Sequence, residues 1–246
     1  MAPVLSTLSL LGGLHLLLQA GTTSAAAIDP RAALSPYVPT SVACPTTPLL
    51  RPAKGLGASE SAYVTARKSK ADVSLAAWLA KTDPAFSNTT LPSLGLAISG
   101  GGLRSLLSGA GVFQAFDSRD STSGTSGLFQ SLTYQSGLSG GGWLTSSVAG
   151  GNWPTISSIK ASLWERTFQD SLLLPENLLF AVAYADIVVD IIDKSKAGYT
   201  PTLVDPYGRL LSYMLLNGTS GGVATTLSGL TGLSNFVDHN VSQPHP

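Results

Sequence analysis

Residues 128–148 read LFQSLTYQSGLSGGGWLTSSV and decide the fold. The segment 128–135 ends in alternating apolar and polar residues, which indicates a strand. The glycine-rich segment 136–142 stops that strand, and an apolar stretch beginning at Trp143 can start a helix. The sequence therefore predicts a strand, a tight glycine turn and a helix in direct succession.

The same arrangement occurs upstream. Leu94–Ile98 is a short apolar run that predicts a buried strand, and it stops at the glycine turn 99–102. Leu103–Phe116 follows with apolar residues near helical spacing. Two strand–turn–helix units in succession predict an α/β fold, with layers of helices around a mainly parallel sheet.

The second glycine turn matches the nucleophile-elbow pattern with Gly137-Leu138-Ser139-Gly140-Gly141. Small residues on both sides of the serine allow the strand to reverse sharply into the helix. The turn places the hydroxyl at the helix N-terminus, where N–H groups and the helix dipole favour developing negative charge. Ser139 is therefore the candidate catalytic nucleophile. A purely structural glycine turn is the alternative.

The first glycine turn reads Ser99-Gly100-Gly101-Gly102-Leu103-Arg104. Three glycines after a strand leave N–H groups free to bind a phosphate or to form an oxyanion hole. The spacing matches neither a Walker loop nor a dinucleotide fingerprint. Arg104 lies in the first helical turn, where the dipole disfavours a cation, so it suggests an anionic ligand. A surface arginine without a ligand is the alternative.

Composition excludes several classes of protein. The 246 residues carry 14 basic and 14 acidic side chains, a balance that argues against nucleic acid as the main partner. Hydrophobic residues make up 43%, enough for a sizeable core. One cysteine and three histidines argue against a metal site, and no motif calls for a cofactor. The length suits one α/β domain or part of a larger one.

Residues 1–27 contain no charged side chain. The apolar run Leu8–Leu18 is followed by small residues at 24–27, which is typical of a secretory signal peptide. A transmembrane anchor is the alternative, but it needs ~18–20 apolar residues and this run is shorter. We therefore expect a signal peptide at 1–27 and a mature chain of 28–246.

Three glycosylation sequons support export: Asn88, Asn217 and Asn240 each begin an Asn-x-Ser/Thr triplet. The predicted protein is a secreted glycoprotein, extracellular or in the cell wall. Cys44 would then be an unpaired cysteine in the oxidising secretory pathway. It is either buried and inert, or its partner lies outside this chain.

The rest of the mature chain predicts further helices. Asp186, Asp190 and Asp193 share one face of the apolar segment Pro175–Asp193, and we interpret them as a solvated acidic face. A lipid-facing or metal-binding helix is the alternative. The other predicted elements are an extended segment at 28–57, helices at Glu60–Leu79 and Ser157–Asp170, a turn at Asp205–Arg209 and a loop at Gly218–Gly232.

Together the two glycine turns resemble the fungal phospholipase B (lysophospholipase) family, whose catalytic domain is related to cytosolic phospholipase A and, more distantly, to patatin. The resemblance covers most of the mature chain and implies a layered, α/β hydrolase-like domain. It rests on Cys44-Pro45, Leu49–Arg51, Ser99–Arg104, Gln135–Leu144 and Asp205–Arg209.

The resemblance also implies a reaction. In that family a serine works with an aspartate and without a catalytic histidine. By motif, Ser139 is the nucleophile, Gly101 and Gly102 supply oxyanion N–H groups, and Arg104 holds the substrate phosphate. The implied substrates are phospholipids and lysophospholipids at membrane or micelle surfaces, and the implied reaction is acyl-ester hydrolysis through an acyl-enzyme.

One feature departs from the family pattern. The family aspartate lies downstream in an Asp-Gly motif, and this sequence contains no Asp-Gly dipeptide. The resemblance therefore implies that the chain is an N-terminal portion, truncated before the catalytic aspartate. We expect residues 28–246 alone to be a poor catalyst and to expose an unpaired sheet edge that promotes aggregation.

Two other functions stay open. One is an α/β-hydrolase esterase with a Ser-Asp-His triad, whose histidine would have to be His239 or His245 because it follows the serine. The other is a non-catalytic remnant that binds lipid through the Pro175–Asp193 helix.

Overall fold

The computed structural model describes residues 34–46, 48, 50–87, 90–169 and 179–235, with side chains from 182 onward in the last segment. The backbone divides into a short unit, Met1–Ser35, and a larger unit, Pro36–Pro246. Every described helix and strand belongs to the larger unit. The predicted signal peptide at 1–27 lies outside the described residues and stays a prediction.

Seven helices and two strands form the described part of the larger unit. They are α1 (Ala58–Thr82), β1 (Leu94–Ile98), α2 (Gly102–Phe116), β2 (Leu132–Gly137), α3 (Gly140–Gly150), α4 (Ile156–Ile159), α5 (Glu165–Thr167), α6 (Leu179–Lys196) and α7 (Val204–Leu215). Single 3₁₀ turns lie at Phe129–Ser131, Thr219–Gly222 and Ser228–Gly232.

The two strands run parallel, as both strand–turn–helix units require. Leu96 pairs with Gln135 and Ile98 with Gly137, with one irregularity near Leu94. Parallel neighbours need a long crossover, and α2 lies on that crossover. The predicted α/β class is confirmed. The predicted strand at 128–135 is shifted, because its first residues form a 3₁₀ turn and pairing begins at Leu132.

The apolar core lies where α2 and α3 pack on the sheet. Leu106 of α2 and Leu144 of α3 are completely buried, and Phe113 stacks at a tilt on Phe129. Trp164 joins the same cluster from the segment after α4. Both helices that start at the glycine turns are therefore held by apolar contacts along their length, which fixes the position of the turns themselves.

Helix α1 lies outside this core and is hydrogen-bonded to β2. Arg67 is fully buried, and its Nε donates to the carbonyl oxygen of Leu132 at 2.9 Å. Tyr63 donates its hydroxyl to the carbonyl oxygen of Thr133 at 2.7 Å. These bonds satisfy carbonyl groups at the start of β2.

The predicted helix at Ser157–Asp170 is interrupted in the structure. Helix α4 passes into a π-helical stretch at Lys160–Trp164 before α5 begins. Such a stretch inserts one extra residue per turn and rotates the side chains that come after it. Here both Leu163 and Trp164 reach the core. Within the described ranges, no helix combines the length and the apolarity needed to cross a membrane.

The prediction of a turn at Asp205–Arg209 is wrong, because these residues form the first half of α7. Pro206 lies in the first helical turn, where its missing N–H has no intrahelical acceptor to lose. Gly208 is exposed and lowers helix propensity without stopping the helix. The buried apolar side chains of α7, including Leu211 and Met214, stabilise the helix through packing.

The prediction of a solvated acidic face on α6 is also wrong. Asp190 is buried and accepts a hydrogen bond from Arg209 Nε at 2.7 Å. Asp186 accepts from the Tyr213 hydroxyl at 3.0 Å and from the Ser220 hydroxyl at 2.9 Å. The acidic face packs against α7, because α7 brings an arginine and a tyrosine that neutralise and hydrogen-bond it.

The segment before α1 is tied to this helix pair by one tyrosine. The Tyr37 hydroxyl donates to Asp205 at 2.6 Å, and Lys194 donates to the same carboxylate at 2.5 Å. Burial and the hydrogen bond to Asp205 raise the pKa of Tyr37 to about 12. The hydrogen bonds from Lys194, Tyr37 and the Thr202 N–H hold the pKa of Asp205 well below its usual range.

The Asp205 carboxylate makes the free energy of unfolding depend on pH. A carboxyl group with a depressed folded-state pKa stabilises the fold above its unfolded pKa of about 3.9, and that stabilisation is lost as the pH falls toward the folded value. We expect Asp205→Asn to lower the free energy of unfolding by about 2 kcal/mol at pH 7. The difference from wild type should shrink below about pH 4.

Urea unfolding at pH 7, 5 and 3 measures this difference. Asp72→Asn is the matched control, because Asp72 pairs with Lys68 at 2.8 Å at a half-buried position that water still reaches, where an ion pair contributes less than in the interior. A gap between wild type and Asp205→Asn that stays constant down to pH 3 would contradict the assignment.

Candidate active site

Ser139 adopts a backbone conformation that non-glycine residues avoid. It lies between β2 and α3 with φ 49° and ψ −115°. Such a conformation costs on the order of 1–3 kcal/mol and persists only where its surroundings enforce it. The side chain is exposed at the N-terminus of α3. This is the geometry that the elbow pattern predicts for a nucleophile.

Close backbone contacts enforce this conformation. A Cβ atom on Gly140 would lie 2.1 Å from the carbonyl oxygen of Gly102, and one on Gly137 would lie 2.3 Å from the carbonyl carbon of Gly141. The Leu138 N–H donates to the carbonyl oxygen of Ile98 at 3.0 Å. The elbow is therefore clamped to the end of β1 and to the first glycine turn, and only glycine fits at these contacts.

The first glycine turn lies directly against the nucleophile. A Cβ atom on Gly100 would lie 3.2 Å from the Cβ of Ser139. Gly101 and Gly102 have φ values of 143° and 64°, conformations that favour glycine. The structure thus brings together Ser139 and the two glycines predicted as oxyanion donors. Gly100 is an additional neighbour to which the sequence pattern alone assigns no role.

The turn offers backbone donors beside Ser139. Among the described residues, the N–H groups of Gly101 and Gly102, the two predicted donors, have no acceptor, and neither does that of Gly100. Unpaired N–H groups at a helix N-terminus carry partial positive charge. Because they lie next to a serine hydroxyl, they can stabilise the negative charge that develops on a carbonyl oxygen when the hydroxyl attacks it.

Arg104 is exposed in the first turn of α2, as the sequence predicts. Within the described part of the chain its side chain makes no hydrogen bond or ion pair. Its guanidinium is therefore available to an anionic group that approaches the glycine turn. The planar fork of an arginine suits a phosphate.

No base contacts the nucleophile in the part of the chain that the structure describes, since the hydroxyl of Ser139 makes no hydrogen bond there. The buried carboxylates make hydrogen bonds and ion pairs with residues other than Ser139. Burial alone would raise the pKa of Asp117, but the hydrogen bonds from Arg119 and Gln130 outweigh burial and hold it below its usual value. Asp190 and Asp205 are held by Arg209 and Lys194. These ionised groups are structural ion-pair partners.

The remaining predicted sites fall in different parts of the chain. Asn217 is exposed just after α7, which is compatible with glycosylation. Asn88 and Asn240 lie outside the described residues. Cys44 is exposed, which contradicts the first of its two alternatives, a buried and inert cysteine. Among the described residues, no group of three or more potential metal ligands occurs.

Comparison with curated proteins finds fungal relatives. The chain is 39% identical to a probable lysophospholipase 4 of Schizosaccharomyces pombe over 224 residues, which is 85% of this chain and 32% of the relative. It is 36% identical to a lysophospholipase of Penicillium chrysogenum over 85% of this chain and 38% of that protein. The chain thus spans about a third of the length of these relatives.

A search of solved structures finds a human group IVD cytosolic phospholipase A2 bound to a fluorophosphonate inhibitor. It is 22% identical, with a TM-score of 0.48, over 69% of this chain and 25% of that one. The family model of the lysophospholipase catalytic domain matches residues 94–245, from the start of β1 through both glycine turns. That match covers more than half of the sequence, and the chain belongs to the lysophospholipase catalytic domain family.

Proposed function

We propose that the protein hydrolyses fatty-acyl esters of lysophospholipids and phospholipids, with Ser139 as the nucleophile. The observation that carries the proposal is the strained Ser139 at the N-terminus of α3, held against a glycine turn whose N–H groups have no acceptor in the described structure. Family membership and the names of the fungal relatives support the substrate class.

The proposed reaction has two steps. The Ser139 oxygen attacks the ester carbonyl carbon as a base removes its proton, and negative charge develops on the carbonyl oxygen. The N–H groups of the first glycine turn stabilise that charge. The carbonyl re-forms as the glycerophospho-alcohol leaves with a proton. Water then attacks the acyl-enzyme, releases the fatty acid and restores the serine.

The proposed base is the aspartate that the family resemblance implies. The 246 residues contain no Asp-Gly dipeptide, and no described carboxylate contacts Ser139. A serine hydroxyl without a positioned base is a weak nucleophile. We therefore expect slow hydrolysis by this chain alone, with reaction toward activated phosphonates as the more sensitive measure of the site.

The test combines turnover with labelling. The folded chain is incubated with a fluorophosphonate, and fatty-acid release from lysophosphatidylcholine is measured in parallel. Labelling at Ser139 supports the proposal. Activity that depends on His239 would instead favour a Ser-Asp-His esterase. Binding of lysolipid without labelling or turnover would favour a non-catalytic lipid-binding protein.

We also propose that the protein is a secreted glycoprotein acting at membrane or micelle surfaces. The charge-free segment 1–27 and the three sequons support this proposal, and Asn217 is exposed. Treatment of the protein from its native host with an N-glycosidase tests it. A mass decrease and an N-terminus near residue 28 are the expected results.

Arg104 should discriminate phospholipids from neutral esters. We expect Arg104→Ala to reduce kcat/KM for lysophosphatidylcholine about tenfold or more, since it removes a charge-assisted hydrogen bond to phosphate. A neutral ester with the same acyl chain should be affected little. Arg166→Ala is the control, because Arg166 is also exposed and also has no partner among the described residues. Equal losses on both substrates would make Arg104 a structural residue.

A further inference from the structure

Ser105 makes an unusual hydrogen bond beside the candidate site. Its hydroxyl donates to the carbonyl oxygen of Ser99, six residues earlier. Serine hydroxyls inside helices ordinarily bond a carbonyl three or four residues earlier, which would be Gly102 or Gly101. Ser105 instead reaches out of α2 and across the first glycine turn. The bond therefore ties the turn to the helix that begins there.

The bond from Ser105 to the Ser99 carbonyl also constrains the N–H group of Gly100. The carbonyl of Ser99 and the N–H of Gly100 belong to one planar trans peptide and point in opposite directions. A carbonyl held toward Ser105 therefore directs the Gly100 N–H away from it. Ser105 also limits the space at Gly101, because a Cβ atom on Gly101 would lie 3.3 Å from the Ser105 Cβ.

The first glycine turn needs such a constraint, because glycine has the greatest backbone freedom of any residue. Three consecutive glycines would otherwise sample many orientations of their N–H groups. Gly100 lies against Ser139, and the N–H groups of Gly100 and Gly101 have no acceptor in the described residues. Donors stabilise a transition state most when their orientation is fixed before the reaction.

We propose that Ser105 is a positioning residue, whose hydroxyl holds the Ser99 carbonyl, so fixes the N–H group of Gly100 and with it limits the motion of the glycine turn beside Ser139. The proposal rests on the proposed function of this site. Ser105 does not touch the substrate in this role. Its contribution is the orientation of backbone donors, so it should affect the rate of attack and leave the affinity for a ligand unchanged.

The first measurement is the reaction of Ser139 with a neutral fluorophosphonate, resolved into the rate constant of inactivation and the dissociation constant of the probe. In Ser105→Ala, we expect the rate constant to fall about tenfold, which corresponds to the loss of one hydrogen bond of ordinary net strength. The dissociation constant should not change. Ser105→Thr keeps the hydroxyl and should restore most of the rate.

Ser108→Ala is the matched control. Ser108 lies one turn further along α2, is exposed, and its hydroxyl makes no hydrogen bond within the described residues. It should react as wild type does. A Ser105→Ala protein that reacts at the wild-type rate would overturn the proposal, as would a loss that Ser105→Thr does not restore in a variant that melts like wild type.

The second measurement does not depend on activity. Backbone ¹⁵N relaxation gives order parameters for the N–H groups of Gly100 and Gly101. These should fall from rigid values near 0.85 toward 0.6 in Ser105→Ala and stay unchanged in Ser108→Ala. If wild type does not react with the probe, the proposed function fails, and the order parameters alone decide the role of Ser105. Unchanged order parameters overturn it.

Discussion

Replacing Ser139 by alanine will abolish both fluorophosphonate labelling and the release of fatty acid. The covalent bond to phosphorus or to the acyl carbon forms at the serine oxygen, and alanine has no atom that can form it. Oxyanion donors and substrate binding alone leave a residual acceleration that lies orders of magnitude below that of an intact site. We expect labelling to fall below detection and fatty-acid release to fall toward the rate measured without protein.

Ser146→Ala is the matched control for this substitution. Ser146 lies on the exposed side of α3, about two helical turns beyond the nucleophile, and its hydroxyl makes no hydrogen bond within the described residues. Both variants should melt at or above the wild-type temperature, since Ser139→Ala also removes no hydrogen bond of the described structure. Labelling of the Ser139→Ala protein at another serine would show that the nucleophile is a different residue.

Gly140→Ala should be the most destabilising single methyl addition at the site. The new Cβ would lie 2.1 Å from the carbonyl oxygen of Gly102, a backbone atom that cannot turn away as a side chain can. Relief requires the two glycine turns to separate. Overpacking of this kind typically costs roughly 1–3 kcal/mol, and a backbone obstacle places the cost at the upper end, about 3 kcal/mol. The expected decrease in Tm is about 6–12 °C.

Gly111→Ala adds the same methyl group as Gly140→Ala but should stabilise the protein. Gly111 lies inside α2, and a Cβ atom there would meet no atom within 4 Å. Alanine is the better helix former by about 0.5–1 kcal/mol, so this variant should be more stable than wild type. Thermal melts of both variants measure the difference. A Gly140→Ala protein with wild-type stability would show that the two turns are not in contact.

The local parts of the site are predictable from sequence because glycine and serine at close spacing leave few conformations that a chain can use. The elbow at Ser139 and the turn before Arg104 follow from such patterns. That the two turns touch is not predictable by pattern alone, because Gly100 and Ser139 are brought together by strand pairing. The resemblance to a known family supplies the expectation that they act together.

The two wrong predictions, for α6 and for α7, share a physical cause. Sequence spacing shows which residues of α6 share an acidic face and not what covers that face. Its partner, Arg209, lies in a segment whose proline and glycine predict a turn. Once α7 is helical, burial of Leu211 and Met214 outweighs the low helix propensity of its first turn. Tertiary packing decides both the helix and the burial of the carboxylates.

The contact between Gly140 and Gly102 also limits which substitutions this protein can accept during evolution. A larger residue at one position can usually be accommodated when its neighbour becomes smaller. Here both neighbours are already glycine, and the obstacle at Gly102 is its carbonyl oxygen, which every amino acid carries. No second substitution can therefore rescue the first. Variation in substrate preference must therefore arise at surrounding positions, while position 140 stays glycine.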